Sequence, residues 1–158
     1  NLYILSEDFD RKLTTSSQIL KNNIKVWLNQ YRMLNDTLDI LDPRIINIKI
    51  SFVAVVDYSQ EKLEALNIAI TEIQSMFREQ LDIGQPIYIT KIYDVLNNLD
   101  EIVDVTHVKI ENATGSNYSD ETINLSQYMS ADGRILYAPE NVIYELKYPN
   151  LDIKGTIK

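Results

Sequence analysis

The 158-residue chain contains no cysteine. Disulfides and thiolate metal sites are therefore excluded, and the composition suits a reducing compartment. There is one histidine, His107, and a catalytic or zinc-binding role for it would need partners that are missing. Its neighbours Val105 and Val108 mark it as a strand residue with a structural role. Only four glycines occur, too scattered to cradle a phosphate. No G-x-S-x-G and no H-E-x-x-H sequence is present. No apolar run approaches the roughly 18 residues of a membrane span, and no signal peptide is visible. Basic runs are also absent, and the formal charge is −8. Such a chain repels nucleic acid and anionic membrane surfaces. No cofactor, metal or small-molecule substrate is expected, and neither nucleic acid nor membrane is expected as a partner.

The carboxylates that are present do not form a reactive pattern. Glu7/Asp8/Asp10, Asp100/Glu101 and Asp120/Glu121 fall in predicted turns, where water solvates them, whereas a general acid needs a desolvated carboxyl. Asp36, Asp39 and Asp42 recur every third residue. A calcium loop needs alternate oxygens and a glycine. Asn112, Asn117 and Asn124 begin N-x-[ST] sequons, which mark a polar loop here.

Hydrophobic residues make up 45% and charged residues 24%, as in ordinary globular proteins. At this length the chain is one domain, or one domain with appendages, and buries a core without staples. It begins with Asn1 rather than Met, which reads as a piece of a longer protein. Residues 1–43 read as an N-terminal strand and helix segment. Asn1 to Leu5 alternates weakly as a strand, and the polar SEDFDRK follows as a connector. Thr14, Thr15 and Ser16 offer N-caps for a helix from Ser16 to Leu34. Leu20, Ile24, Trp27, Leu28, Tyr31 and Leu34 form its apolar stripe, and Asn35 and Asp36 end it. Pro43 forces Asp42 into extended geometry.

Residues 44–111 read as the core domain. Ile46, Ile48, Ile50, Phe52, Ala54 and Val56 point to one side of a strand, and Asn47, Lys49, Ser51, Val53, Val55 and Asp57 to the other. The second face turns apolar only at Val53 and Val55, where a cover is expected. Asp57 or Ser59 caps the next helix, with Gln60 and Glu61 in its first turn. Leu63, Leu66, Ile70, Ile73 and Phe77 form its stripe, and Gly84 suits its end. Pro86 to Ile89 is a short extended piece. Thr90 caps a small helix whose apolar face is Ile92, Tyr93, Leu96 and Leu99. Val103, Val105, Val108 and Ile110 form a closing strand, with a phase shift between Val105 and Val108 that predicts a bulge.

Residues 112–158 read as a loop, ENATGSNYSDET, and then a β meander through INLSQYM, GRILYA, NVIYELKY and LDIKGTIK. Turns at Asp132-Gly133 and Pro139-Glu140-Asn141 separate these runs. The predicted fold is α+β: a small β-α-(β)-α-β sandwich in a ferredoxin-like arrangement, preceded by a helix and followed by the meander. Five of the ten tyrosines, Tyr118, Tyr128, Tyr137, Tyr144 and Tyr148, fall in the last segment. Tyrosine suits half-buried packing and is also enriched at interfaces.

The order of these elements, IINIKISFVAVV, a long helix, then GQPIYITKIYDVLNNLDEIVDVTHVKI, resembles the C-terminal region of the baseplate J-type proteins of contractile phage tails. QILKNNIKVWLNQYRMLNDTLDILDP resembles the helix and Asp-Pro step that precede it. The similarity covers about residues 14 to 111. The tail, SQYMSADGRILYAPENVIYELKYPNLDIKGTIK, is similar to T-even type wedge proteins that form a dimeric inner ring. The resemblance implies a structural, non-enzymatic role in the virion's tail baseplate, assembled in the host cytoplasm. The implied partners are the chain itself, as homodimer and ring contacts, and other baseplate wedge proteins. It supplies no catalytic residues.

Val53 and Val55 are the first candidate interface residues; Tyr128, Tyr137, Tyr144 and Tyr148 are the second group. Burying two valines contributes a few kcal/mol at about 25 cal/mol per Å². A stable ring needs roughly 1,600 Å² or more per interface, so several contacts are required. The alternative is a small-molecule-binding regulatory α+β module. It would need convergent polar groups after the first core strand, where VVDYSQEK supplies only Asp57, Ser59 and Gln60.

Overall fold

The computed structural model describes residues 1–31, 37–57, 61–78 and 81–158. The N-terminal segment holds β1 (Leu2–Tyr3), β2 (Leu5–Glu7), β3 (Leu13–Thr15), α1 (Gln18–Leu28) and β4 (Ile40–Leu41). β1 pairs with β4 in parallel, and β2 with β3 as a hairpin. The SEDFDRK run is thus a strand end and a hairpin turn rather than a connector. Asp8 organises that turn: its Oδ1 accepts the N–H groups of Asp10 and Lys12, each at 2.9 Å. Arg11, at φ 60°, completes it in the left-handed region.

The N-cap of α1 is Ser17, whose side chain accepts from the Leu20 N–H. Thr14 and Thr15 belong to β3, and Ser16 is buried with its hydroxyl 2.8 Å from that of Ser6. The hairpin thus consumes the three residues expected to cap. α1 stops at Leu28, short of the expected Leu34: Asn29 is its C-cap, and Gln30 and Tyr31 close a turn on the carbonyls of Trp27 and Leu28. Leu34 and the expected stop at Asn35 and Asp36 lie outside the described residues.

The core is built on β5 (Arg44–Val56). Ile46, Ile48, Ile50, Phe52, Ala54 and Val56 are all buried, as strict alternation requires. α2 (Lys62–Met76), β6 (Ile87–Tyr88), α3 (Ile89–Asn97) and β7 (Ile102–Asn112) follow. α2 and α3 pack on this apolar face, and β7 runs antiparallel to β5.

Details of the stripes differ from expectation. Ala65, Ala69 and Ile73 are the buried residues of α2, while Leu63 is exposed. Small alanines let the helix backbone approach the sheet. The N-cap of α2 is Glu61, with no side-chain cap bond; Asp57 lies outside the helix and Ser59 and Gln60 are outside the described residues. Gly84 does adopt a positive φ of 77°, but in a turn beyond the helix, where its N–H donates to the Val142 carbonyl at 2.7 Å. Tyr88, not Thr90, precedes α3 as its N-cap.

β7 carries two bulges rather than one. Val53 faces His107 but Ala54 faces Val105, so Thr106 is extra; Val55 faces Asp104 but Val56 faces Ile102, so Val103 is extra. Each insertion resets the phase. Ile102, Val105 and Val108 are therefore all buried at a spacing of three, and Val103 is turned out to solvent. The bulged Thr106 donates its hydroxyl to the Val53 carbonyl at 3.2 Å.

The C-terminal segment comprises α4 (Leu125–Tyr128), β8 (Ile135–Leu136), β9 (Val142–Glu145), α5 (Pro149–Asp152) and β10 (Ile153–Ile157). It is not a meander of successive antiparallel neighbours. β8 pairs with β6, so the short piece expected inside the main sheet lies outside it. β9 and β10 both run parallel to β5, along residues 44–47 and 50–54. They share one edge. The Arg44 N–H meets the Asn141 carbonyl, whereas the Asn47 carbonyl meets the Ala113 N–H beyond β7, and odd and even residues of a strand address opposite edges. The main sheet has the order β10-β5-β7. Leu125, Leu136, Val142, Tyr144 and Ile153 join the same core as β5 and the helices. The architecture is α+β, with α2 and α3 on one face of the sheet.

Candidate functional site

The face of β5 opposite the helices divides into a closed end and an open end. At the closed end Asn47 and Glu145, cross-strand neighbours on β5 and β9, are both buried. The Glu145 carboxylate accepts the Leu13 N–H at 2.7 Å and the Asn47 side-chain amide at 2.6 Å. Asn47 Oδ1 accepts the Ser119 N–H at 2.6 Å. One buried polar network thus ties the N-terminal hairpin and the 113–124 loop to the sheet. Burial pushes the Glu145 carboxyl above its ordinary value, against the two hydrogen bonds that favour the anion.

The open end runs from Lys49 to Val55. Lys49 faces Glu111; Ser51 lies between Lys109 and Lys154; Val53 lies between His107 and Thr156; Val55 faces Asp104. Val53 and Val55 are half-buried among these neighbours. The expected cover therefore sits over the polar Asn47 rather than over the valines. The C-terminal segment extends the sheet in its own plane. His107 is exposed on this face. Lys109 and Glu111 form an ion pair at 2.7 Å, and the lysine holds the Glu111 carboxyl below its ordinary value.

The tyrosines separate into different environments. Tyr137 is exposed, and Tyr128 is half-buried against the core. Tyr148 is half-buried, edge-on to Tyr118 at 5.5 Å, with Lys12 Nζ 4.7 Å from its ring centre. Tyr144 does not belong with the interface candidates: it is 2% exposed. Its hydroxyl donates to the Tyr137 carbonyl at 2.8 Å, and burial raises its pKa to about 12. A large ring at an inward position of β9 fills core, whatever its frequency at interfaces.

The surface feature missed by pattern reading is α1. Of its residues only Lys21 is buried, paired with Asp42 at 2.5 Å. Ile24 and Leu28 are half-buried, while Ile19, Leu20, Val26, Trp27 and the following Tyr31 are exposed. The expected stripe is thus split: Ile24 and Leu28 turn toward the protein, while Leu20, Trp27 and Tyr31, with Ile19 and Val26 beside them, stand exposed.

A groove of about 1180 Å³ runs between the β2–β3 hairpin, the end of α2 and the β9–α5 segment. Leu5, Leu13, Phe77, Leu81 and Ile83 line it together with charges of both signs. Among the described residues no cluster of His, Asp or Glu fits a metal ion, and no helix is long and apolar enough to cross a membrane. Asp42, from the expected Asp36/Asp39/Asp42 spacing, is committed to Lys21, and Glu121 bonds Arg44 Nε at 2.8 Å. No protein-family model matches the chain, and no curated protein matches it in sequence.

Proposed function

We propose that this chain is a structural assembly module, a wedge component of a contractile phage tail baseplate of the J type. In this reading it works in the virion and contacts copies of itself and other wedge proteins. Its core is read as a ferredoxin-like arrangement, with β10 lying where a third strand of the sheet is required. The order of strand, helix, glycine-proline step, short helix and valine strand supports the family. The observation that carries the role is the open end of the sheet. Val53 and Val55 stand half-buried on the face away from α2 and α3, ringed by polar and charged residues. Such a one-sided sandwich is completed by a partner.

The test is a Val53→Asp/Val55→Asp variant, checked for native circular dichroism and then mixed with the other wedge chains. Loss of co-sedimentation with the fold intact is expected. Undiminished assembly would remove the sheet face from the interface. The groove supports a second reading, a regulatory module that binds a small ligand between the hairpin and α2. Ligand-dependent thermal stabilisation of the isolated chain, abolished by Phe77→Glu, would favour that reading.

A further inference from the structure

We infer that the exposed face of α1 is a self-association surface that takes the same face of a second copy of this chain. The inference rests on the assembly reading for its class of partner, but uses a surface separate from the open sheet. Ile19 is 74% exposed, Val26 64%, Trp27 58% and Tyr31 70%. At 100° per residue Ile19, Leu20, Val26 and Trp27 fall within one side of the helix, with the uncharged Asn23 between them, and Tyr31 lies in the turn that follows α1. The Trp27 and Tyr31 rings contact one another, with centroids 4.9 Å apart, and form the kind of aromatic anchor that dominates interface energetics. Lys21 and Lys25 project from the other side, and Lys21 is already held by Asp42.

Charge selects the occupant. The chain carries −8, yet no Asp or Glu occurs between Asp10 and Asp36. Two copies approaching through most other surfaces bring carboxylates together, whereas α1 itself contributes none to its apolar face. A helix that lies on an anionic membrane carries several cations on its polar face; among the described residues of α1 that face offers Lys25, while Lys21 is held by Asp42. The area also fits. Five large side chains at these exposures bury on the order of 500 Å² per copy and about 1,000 Å² over two, which reaches the lower bound of a specific interface. Pairing like with like gives a two-fold contact that closes on itself.

The experiment is sedimentation equilibrium of the chain over a wide concentration range, with Trp27→Glu, Val26→Glu and Val53→Asp variants alongside. Because α1 projects Trp27 and Val26 into solvent, their variants are expected to keep the wild-type melting transition. Trp27 is the only tryptophan, so a concentration-dependent blue shift of its emission reports the contact directly. The expected result is a dimer in which both α1 substitutions weaken association at least tenfold and Val53→Asp does not. A wild-type chain that stays monomeric overturns the inference. So does a dimer that survives both α1 substitutions, or a blue shift produced by anionic vesicles rather than by concentration. The mixing experiment with Val53→Asp/Val55→Asp tests the assembly reading independently of these outcomes.

Discussion

Gly155 of β10 lies directly beside Phe52 of β5, and the phenyl ring occupies the space that a side chain at 155 would take. A Cβ at 155 would meet the ring, with Phe52 Cε1 at 2.9 Å, and also the Leu66 methyl of α2. The absent side chain lets one large ring bridge β10, β5 and the helix layer. Gly155→Ala is therefore expected to destabilise the fold by about 1–3 kcal/mol through overpacking, although alanine suits a strand no worse than glycine. Denaturant unfolding of Gly155→Ala, Phe52→Leu and the double variant measures it. The smaller side chain at 52 should recover part of the loss, giving a coupling energy of opposite sign to the single effects.

Glu145 predicts a pH dependence of defined sign. Its carboxyl holds its proton more tightly in the folded protein than the ordinary value of 4.5, because burial outweighs the Leu13 and Asn47 hydrogen bonds. The folded state then binds more protons than the unfolded one above that value, so stability falls as pH rises from 4.5 to the raised folded pKa, and is level beyond it. Glu145→Gln removes this contribution. Melts across the acidic range should show the wild type losing stability relative to the variant as pH rises through that window; parallel curves would contradict the assignment.

The pair Lys21–Asp42 anchors α1 to the corner where β4 leads into β5. The lysine side chain is 11% exposed and the aspartate 37%. Asp42→Ala leaves a mostly buried ammonium without this partner, a cost of about 1–2 kcal/mol once the exposure of the aspartate is discounted. Because α1 has little other packing, the loss should be local. Hydrogen exchange is expected to speed up across Gln18–Leu28 while protection in β5 and β7 stays unchanged.

Tyr118 ties the 113–124 loop to α5. Its hydroxyl donates to Asp152 Oδ1 at 2.5 Å, and that bond, reinforced by burial, raises the phenol pKa to about 12. The stabilisation is fully present below the ordinary value of 10 and disappears as pH rises toward 12. Tyr118→Phe is expected to cost about 1–3 kcal/mol near neutral pH, since the bond is to a carboxylate that stays buried. The difference between wild type and variant should shrink in alkaline solution, and a constant difference would show that packing rather than the hydrogen bond is at work.

Local patterning reached β5, α2, α3 and β7, and it located a bulge between Val105 and Val108. Periodicity of two or about three and a half follows from backbone geometry, and any stretch that must bury one side displays it. The second bulge at Val103 escaped because Ile102 was available to take its place in the core. Alternation puts Asn47 on the second face of β5, where it predicts a cover only at Val53 and Val55. Asn47 is buried because Glu145, 98 positions later, supplies the hydrogen bond that makes burial affordable.

By itself the amino-acid sequence determined the α+β class, the apolar face of β5 and the helices that cover it. These are properties of short segments, set by which residues can share one side of a strand or helix. The tertiary structure alone decided that β9 and β10 both run parallel along one edge of β5, that β6 leaves the main sheet for β8, and that Ile19, Val26 and Trp27 of α1 stand exposed. Those outcomes depend on which distant segments compete for the same edge or face. No local period encodes that competition, because a strand with an open edge and a helix with an open face look the same in sequence as ones that are paired.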